Sequence, residues 1–283
     1  KMLVFNYDLI QGFIDKKGNK LSLNKVIEEK INSSNKFWII TPRVVVTAHN
    51  YYNCTNITGV PLEDYFSPIS KELSVDNKTH QLYWEARWMY SDIMTADTNG
   101  QKVISEITLA FFEDSGWYKV NFYTGGLFRF GKKQGCNFLF NDCVIDDQVI
   151  YKNEFCNYQN SGFCSSNRLE RGFCYIKSTT NISSIPKQNR YFSNQSLGGH
   201  PLVDFCPVSA PLLNNTTHFM GSCQFGDSIH PIGMMDNQFL TENKYVSIRS
   251  HIAFKSYFCC AASTTAKVVM FTIRRGVADG VKI

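Results

Sequence analysis

The chain has 283 residues, 43% hydrophobic and 14% aromatic, enough to bury two cores of ordinary size. Its net charge of +5 is spread along the sequence without a basic block, which argues against nucleic acid as a partner. Arg274-Arg275 reads as a solvated surface pair, and Val268–Ile273 is strand-length, too short to span a membrane.

Residues 1–16 read as a helix end followed by a turn over Asp15-Lys16-Lys17-Gly18-Asn19. Trp38-Ile39-Ile40 reads as a short strand. Thr41-Pro42 then opens a helix, because Thr caps well and Pro at the first helical position gives up an N–H that would lack a partner anyway. Val44, Val45, Ala48 and Tyr52 form its apolar face, and it ends near Tyr52-Asn53. Residues 59–76 read as loop. Between Gln101 and Asp114, the spacing of Val103, Ile107, Ala110 and Phe111 predicts a helix with one buried face, stopped by Gly116. Trp117 to Phe122 alternates like a strand. From Cys136 onward Cys, Asn and Gly become frequent and helical periodicity fades, placing a domain boundary near residues 136–143.

Nine of the ten cysteines lie between Cys136 and Cys260, and no C-x-x-C occurs. This disfavours a zinc ribbon or redox dithiol and favours five disulfides made in an oxidising compartment. Eight N-x-S/T sequons agree with that compartment: Asn32, Asn53, Asn56, Asn77, Asn181, Asn194, Asn214 and Asn215. A secreted or cell-surface glycoprotein is expected. Met2–Phe5 is too short for the apolar core of a signal peptide, so the sequence is expected to begin inside a longer precursor.

Several blocks then fall in a telling order. Thr41-Pro42-Arg43-Val44-Val45 leads to Tyr51-Tyr52-Asn53-Cys54 and on to Val60-Pro61-Leu62-Glu63-Asp64. Trp84-Glu85-Ala86-Arg87 leads to Met94. Phe111 to Tyr118 contains F-x-D-x-G-W-Y, and Gly135-Cys136-Asn137-Phe138-Leu139 and Asp204-Phe205-Cys206-Pro207-Val208 follow. In this order and spacing the chain resembles the leishmanolysin family of metzincin zinc proteases, with a spelling similar to its ciliate-type members. The likeness covers the region after the family's catalytic helix through its C-terminal domain. It implies an α+β fold: a partial metzincin-like central domain with its Met-turn over residues 1–140, then a loop- and strand-rich, disulfide-stapled domain over 141–283.

The family's chemistry needs His-Glu-x-x-His on one helix, with a third His completing a zinc site that keeps one position open for water. None of the six His residues here forms an i, i+4 pair. Leu3-Val4-Phe5-Asn6 resembles the stretch just after the catalytic helix, so that helix is expected upstream of Lys1, and Val4 stands where the family has Gly. Met94 resembles the Met-turn residue. The third ligand position, eleven residues earlier, holds Tyr83. A phenol with pKa near 10 is a poor substitute for neutral imidazole at neutral pH. His80, three residues before Tyr83, is an outside candidate ligand. Trp84 and Trp88 read as core, and Glu85 as a partner of Arg87 or a structural hydrogen-bond acceptor.

The resemblance also implies the pairing Cys54–Cys136, Cys143–Cys206, Cys156–Cys174, Cys164–Cys259 and Cys223–Cys260, the last two partners being exchangeable. The first bridge, closing some eighty residues, contributes roughly 4 kcal/mol in the chain-entropy account. The expectation is a non-catalytic homologue needing no cofactor, engaging protein partners or assembling with itself on an extracellular surface. The alternative is an active zinc endopeptidase whose His-Glu-x-x-His part lies outside this chain, or else a binding module that retains the cleft.

Overall fold

The computed structural model describes residues 4–31, 35–64, 82–97, 102–122, 128–157, 162–166, 171–213 and 219–220. Expectations for Asn32, Asn77, His80, Asn214, Asn215, Cys223, Cys259, Cys260 and the run 268–273 lie outside these residues.

The chain opens with a single-turn helix, α1 (Tyr7–Ile10), capped by the Asn6 side chain, which accepts from the N–H groups of Asp8 and Leu9. Strands β1 (Ile27–Ile31) and β2 (Asn35–Ile39) form an antiparallel hairpin, and β3 (Val60–Pro61) adds to β2. β1 was not anticipated: Ile-Glu-Glu-Lys-Ile carries two apolar ends around three charges, and pairing with β2 orders it.

Helix α2 (Pro42–Tyr52) begins and ends as its sequence suggests, with Asn53 left-handed at φ 59° closing it. Thr41, however, makes no side-chain cap. The Asp114 carboxylate does that work from the far end of another helix, its Oδ2 accepting from the N–H groups of Arg43 at 2.9 Å and Val44 at 3.1 Å. Helix α3 (Ala86–Met89) is a short turn. Helix α4 (Glu106–Asp114) starts later than its periodicity implies, because Ser105 caps it by accepting from the Thr108 N–H. Gly116 (φ +77°) ends that region, packed so closely on the Ile14 carbonyl that no side chain would fit.

The strand expected from Trp117 to Phe122 is absent. The alternation fails physically, since Trp117 and its neighbour Tyr118 are both 38% exposed instead of facing opposite sides. Trp117 packs edge-on against Phe13 and Tyr118 against Phe112.

One hydrophobic cluster joins residues from Val4 to Val208, with α2 lying against α4 and an aromatic centre of Phe5, Trp84 and Phe111 at ring separations of 5.0–5.6 Å. Helix α5 (Cys136–Phe140) lies at the expected domain boundary and joins the same cluster through Phe138 and Leu139. Beyond it run short antiparallel pairs: β4 (Val144–Ile145) with β5 (Gln148–Val149), β6 (Gly162–Cys164) with β7 (Arg171–Cys174), β8 (Lys177–Ser178) with β9 (Leu197–Gly198), and β10 (Ser209–Leu213) with both β7 and β11 (Phe219–Met220). Disulfides Cys54–Cys136, Cys143–Cys206 and Cys156–Cys174 staple these pieces. The mixture of helix and strand is an α+β fold.

Candidate functional site

The block from Leu82 to Thr95 is threaded between two neighbours. Trp84 bridges Leu62 on one side and Thr95 on the other. The Glu63 N–H donates to the Tyr83 carbonyl at 2.9 Å, the Glu85 N–H to the Pro61 carbonyl at 3.0 Å, and the Trp84 N–H to the Met94 carbonyl at 2.9 Å. Tyr83 and Met94 are thus placed by backbone pairing, Met94 buried at 4% exposure and Tyr83 half-buried.

Asp92 organises the turn that carries Met94. Its carboxylate accepts from the Met94 N–H at 2.7 Å, the Ser105 N–H at 2.9 Å and the Thr108 hydroxyl at 2.9 Å. Thr108 Oγ1 in turn accepts from the Trp84 indole N–H at 2.8 Å. The group is fully buried, and burial raises its pKa above the usual carboxylate value despite the hydrogen bonds from Ser105, Met94 and Thr108, which pull the other way. Sequence reading missed Asp92. Its partners Ser105 and Thr108 lie 13 and 16 residues away, so no local signal marked it.

Glu63, Asp64 and Glu85 bring one carboxylate oxygen each within 4.8 Å of one another, Glu63 and Glu85 buried. Two of these side chains have work within the fold. Glu63 Oε2 accepts from the Ala86 N–H at 3.3 Å and Glu85 Oε1 from the Arg87 N–H at 3.0 Å, both at the start of α3. The Arg87 guanidinium lies instead over the rings of Phe138 and Phe155, its Nη2 donating to the carbonyls of Phe138 and Asn141 at 2.8 and 3.1 Å. Of the two roles expected for Glu85, the structural hydrogen bond is made, to the Arg87 backbone. Trp84 and Trp88 are core, at 0% and 4% exposure.

The donor chemistry among the described residues does not fit zinc. An all-oxygen carboxylate trio suits a hard cation, whereas zinc sites of this kind take imidazole nitrogen. Of the described histidines, His49 Nε2 is hydrogen-bonded with the Ile57 carbonyl at 2.5 Å. His200 packs against the rings of Tyr90 and Tyr175 at 6.1 and 4.9 Å. Neither belongs to the acidic trio.

Four sequon asparagines fall on described residues. Asn53, Asn56, Asn181 and Asn194 are all exposed.

Fold and site together define an α+β, disulfide-bonded protein built around a buried methionine turn. The family model for leishmanolysin matches residues 9–229. A leishmanolysin homolog of Crithidia fasciculata is 30% identical over 206 residues, covering 71% of this chain and 28% of the relative. Leishmanolysin of Leishmania tropica is 27% identical over 181 residues, 63% of this chain and 25% of that protein. A leishmanolysin-like peptidase of Drosophila melanogaster is 33% identical over 105 residues, 37% of this chain and 14% of its own length. The chain belongs to the leishmanolysin family, and it spans a minor part of the length of these relatives. No helix among the described residues is long and apolar enough to cross a membrane.

Proposed function

We propose that this chain is a catalytically silent member of the family: an extracellular or cell-surface glycoprotein scaffold that engages protein partners or copies of itself. The observation that carries the reading is Tyr83, which occupies the position eleven residues before Met94 where the family's third imidazole ligand is expected. Around it, backbone pairing and the hydrogen bonds of Asp92 support the turn. Glu63 and Glu85, the neighbours of Tyr83 along the paired segments, cap helix α3, and neither described imidazole, His49 or His200, belongs to the acidic group beside it.

Metal content and proteolysis test the proposal. The chain, purified with whatever sequence precedes Lys1, is expected to retain no stoichiometric zinc and to leave a denatured protein substrate uncut. One zinc per chain, together with cleavage abolished by a chelator, would establish the active endopeptidase instead. The preserved Met94 turn is the feature favouring that second reading.

A further inference from the structure

Asn181 and Asn194 share a local geometry. Each Oδ1 accepts from the N–H of the residue two places on, Ser183 and Ser196, at 3.1 Å in both cases. Each also accepts from that residue's hydroxyl, at 2.5 Å for Ser183 and 2.8 Å for Ser196. The carboxamide oxygen is thus committed in both, and no hydrogen bond described for either residue uses Nδ2.

Both residues are exposed, as are Ile182, Ser183, Ser184, Ser193 and Gln195 around them. The strand register brings them together. Ser178 lies opposite Leu197 in the β8–β9 pair, and the Thr179 N–H continues the ladder to the Ser196 carbonyl at 2.8 Å. Asn181 lies two residues past Thr179 and Asn194 two residues before Ser196, so both sit in the connecting segment at the closed end of the β8–β9 pair. That end is fixed from below. Ile185 is buried, and Arg190 donates to the carbonyls of Ile185 and Ile182 at 2.9 and 3.0 Å. Asn53 offers a contrast, since it closes helix α2 in a left-handed conformation and precedes Cys54, which is buried in a bridge to Cys136.

We propose that Asn181 and Asn194 are both N-glycosylated, forming a paired glycan patch at the closed end of the β8–β9 pair. In each transfer Asn Nδ2 bonds to the anomeric carbon of an oligosaccharide carried on a polyprenyl diphosphate. The anomeric carbon–phosphate oxygen bond breaks, the diphosphate leaves with the electron pair, and one Nδ2 proton passes to a base of the transferase. The inference rests on the extracellular reading above and adds to it. Two bulky, hydrated chains on one hairpin end keep that face in solvent, so partner contacts fall elsewhere.

The test translates the full chain behind a cleavable secretory leader in the presence of microsomes and counts glycosidase-sensitive mass shifts. Ser183→Ala and Ser196→Ala each delete an acceptor hydroxyl and leave the asparagine in place. Each is expected to remove one shift, and the double variant two. Glycopeptide mass spectrometry of the wild-type product is expected to find sugar on both asparagines whether or not a variant folds. If either variant keeps the full number of shifts, or either wild-type peptide is bare, the proposal is overturned. Because the leader supplies entry to the lumen, such a failure counts against these sites and leaves the non-catalytic reading to the zinc and proteolysis test.

Discussion

Asp92→Ala is the perturbation that reads the centre of this fold most directly. The substitution strands the buried N–H groups of Met94 and Ser105 and removes the acceptor of the Thr108 hydroxyl. Leaving a buried donor unsatisfied costs about 1–3 kcal/mol. Two such donors, the freed hydroxyl and the small void, partly offset by no longer burying a charge, give a loss of about 4 kcal/mol. Asp92→Asn retains one acceptor oxygen but turns an amide N–H₂ toward one of the backbone donors, for a loss of about 2 kcal/mol. Guanidinium unfolding followed by tryptophan fluorescence measures both, with Trp84 reporting on the network through its bond to Thr108. The pH dependence follows from the raised carboxyl. The native state takes up the proton before the unfolded chain does, so wild type gains stability from this group as pH falls through the folded value and loses it as pH rises. The deficit of Asp92→Asn is therefore largest at the acid end. If Asp92→Ala unfolds within about 1 kcal/mol of wild type, the turn is held by something else and the reasoning fails.

Asp114→Ala removes the long-range cap of helix α2 and is expected to cost about 1 kcal/mol, seen as a lower midpoint with an unchanged slope in the same titration. Arg87→Lys keeps the charge but not the planar fork that lies over two rings and reaches two carbonyls, and is expected to lose about 2 kcal/mol. Burial, followed by Lys102 and Lys177, lowers the His200 pKa, against a raising influence from Asp97, and its Nδ1 is buried with no hydrogen-bond partner among the described residues. The unfolded chain therefore takes the proton first, and the neutral ring's stability is lost as pH falls through about 6.5 toward the folded value. His200→Gln should shrink the drop in Tm between about pH 7.5 and pH 5.5, measured by calorimetry.

Local signals were legible where a few adjacent residues decide the outcome. Helix α2 runs from Pro42 to Tyr52 because proline, apolar spacing and an asparagine able to turn left-handed all lie within its own span. What the sequence hid was carried by distant partners. Asp114 caps a helix by reaching the Arg43 N–H, 71 residues earlier. Arg87 reaches carbonyls 51 and 54 residues away, so nothing local marked it as a buried cation. β1 takes its order from β2, and Trp117 to Phe122 shows how alternation misleads when the rings lie along a surface. At the candidate site, Tyr83 and Met94 were marked by the family likeness, whereas the backbone pairing that places them was not. The disulfide pairing came with the family likeness, since spacing among ten cysteines does not choose partners.

A turn that once implies a metal can be kept for reasons unrelated to one. Here the Met94 carbonyl is taken by Trp84, the Met94 N–H by Asp92, and Met89 receives the hydroxyl of Tyr52 at 3.1 Å. Each of these partners is buried in the common core, and on the non-catalytic reading proposed above they suffice to hold the turn. Stability should then be indifferent to chelators and to added zinc. A cation that bound only the folded state would raise stability by about 2.7 kcal/mol at a hundredfold excess over its Kd. For a domain of this size that is a Tm shift of several degrees, easily read by calorimetry. The expected result is no shift with zinc and none on adding chelator. A rise with zinc that Tyr83→Phe abolishes would place a working ligand at the phenol and reverse the functional reading.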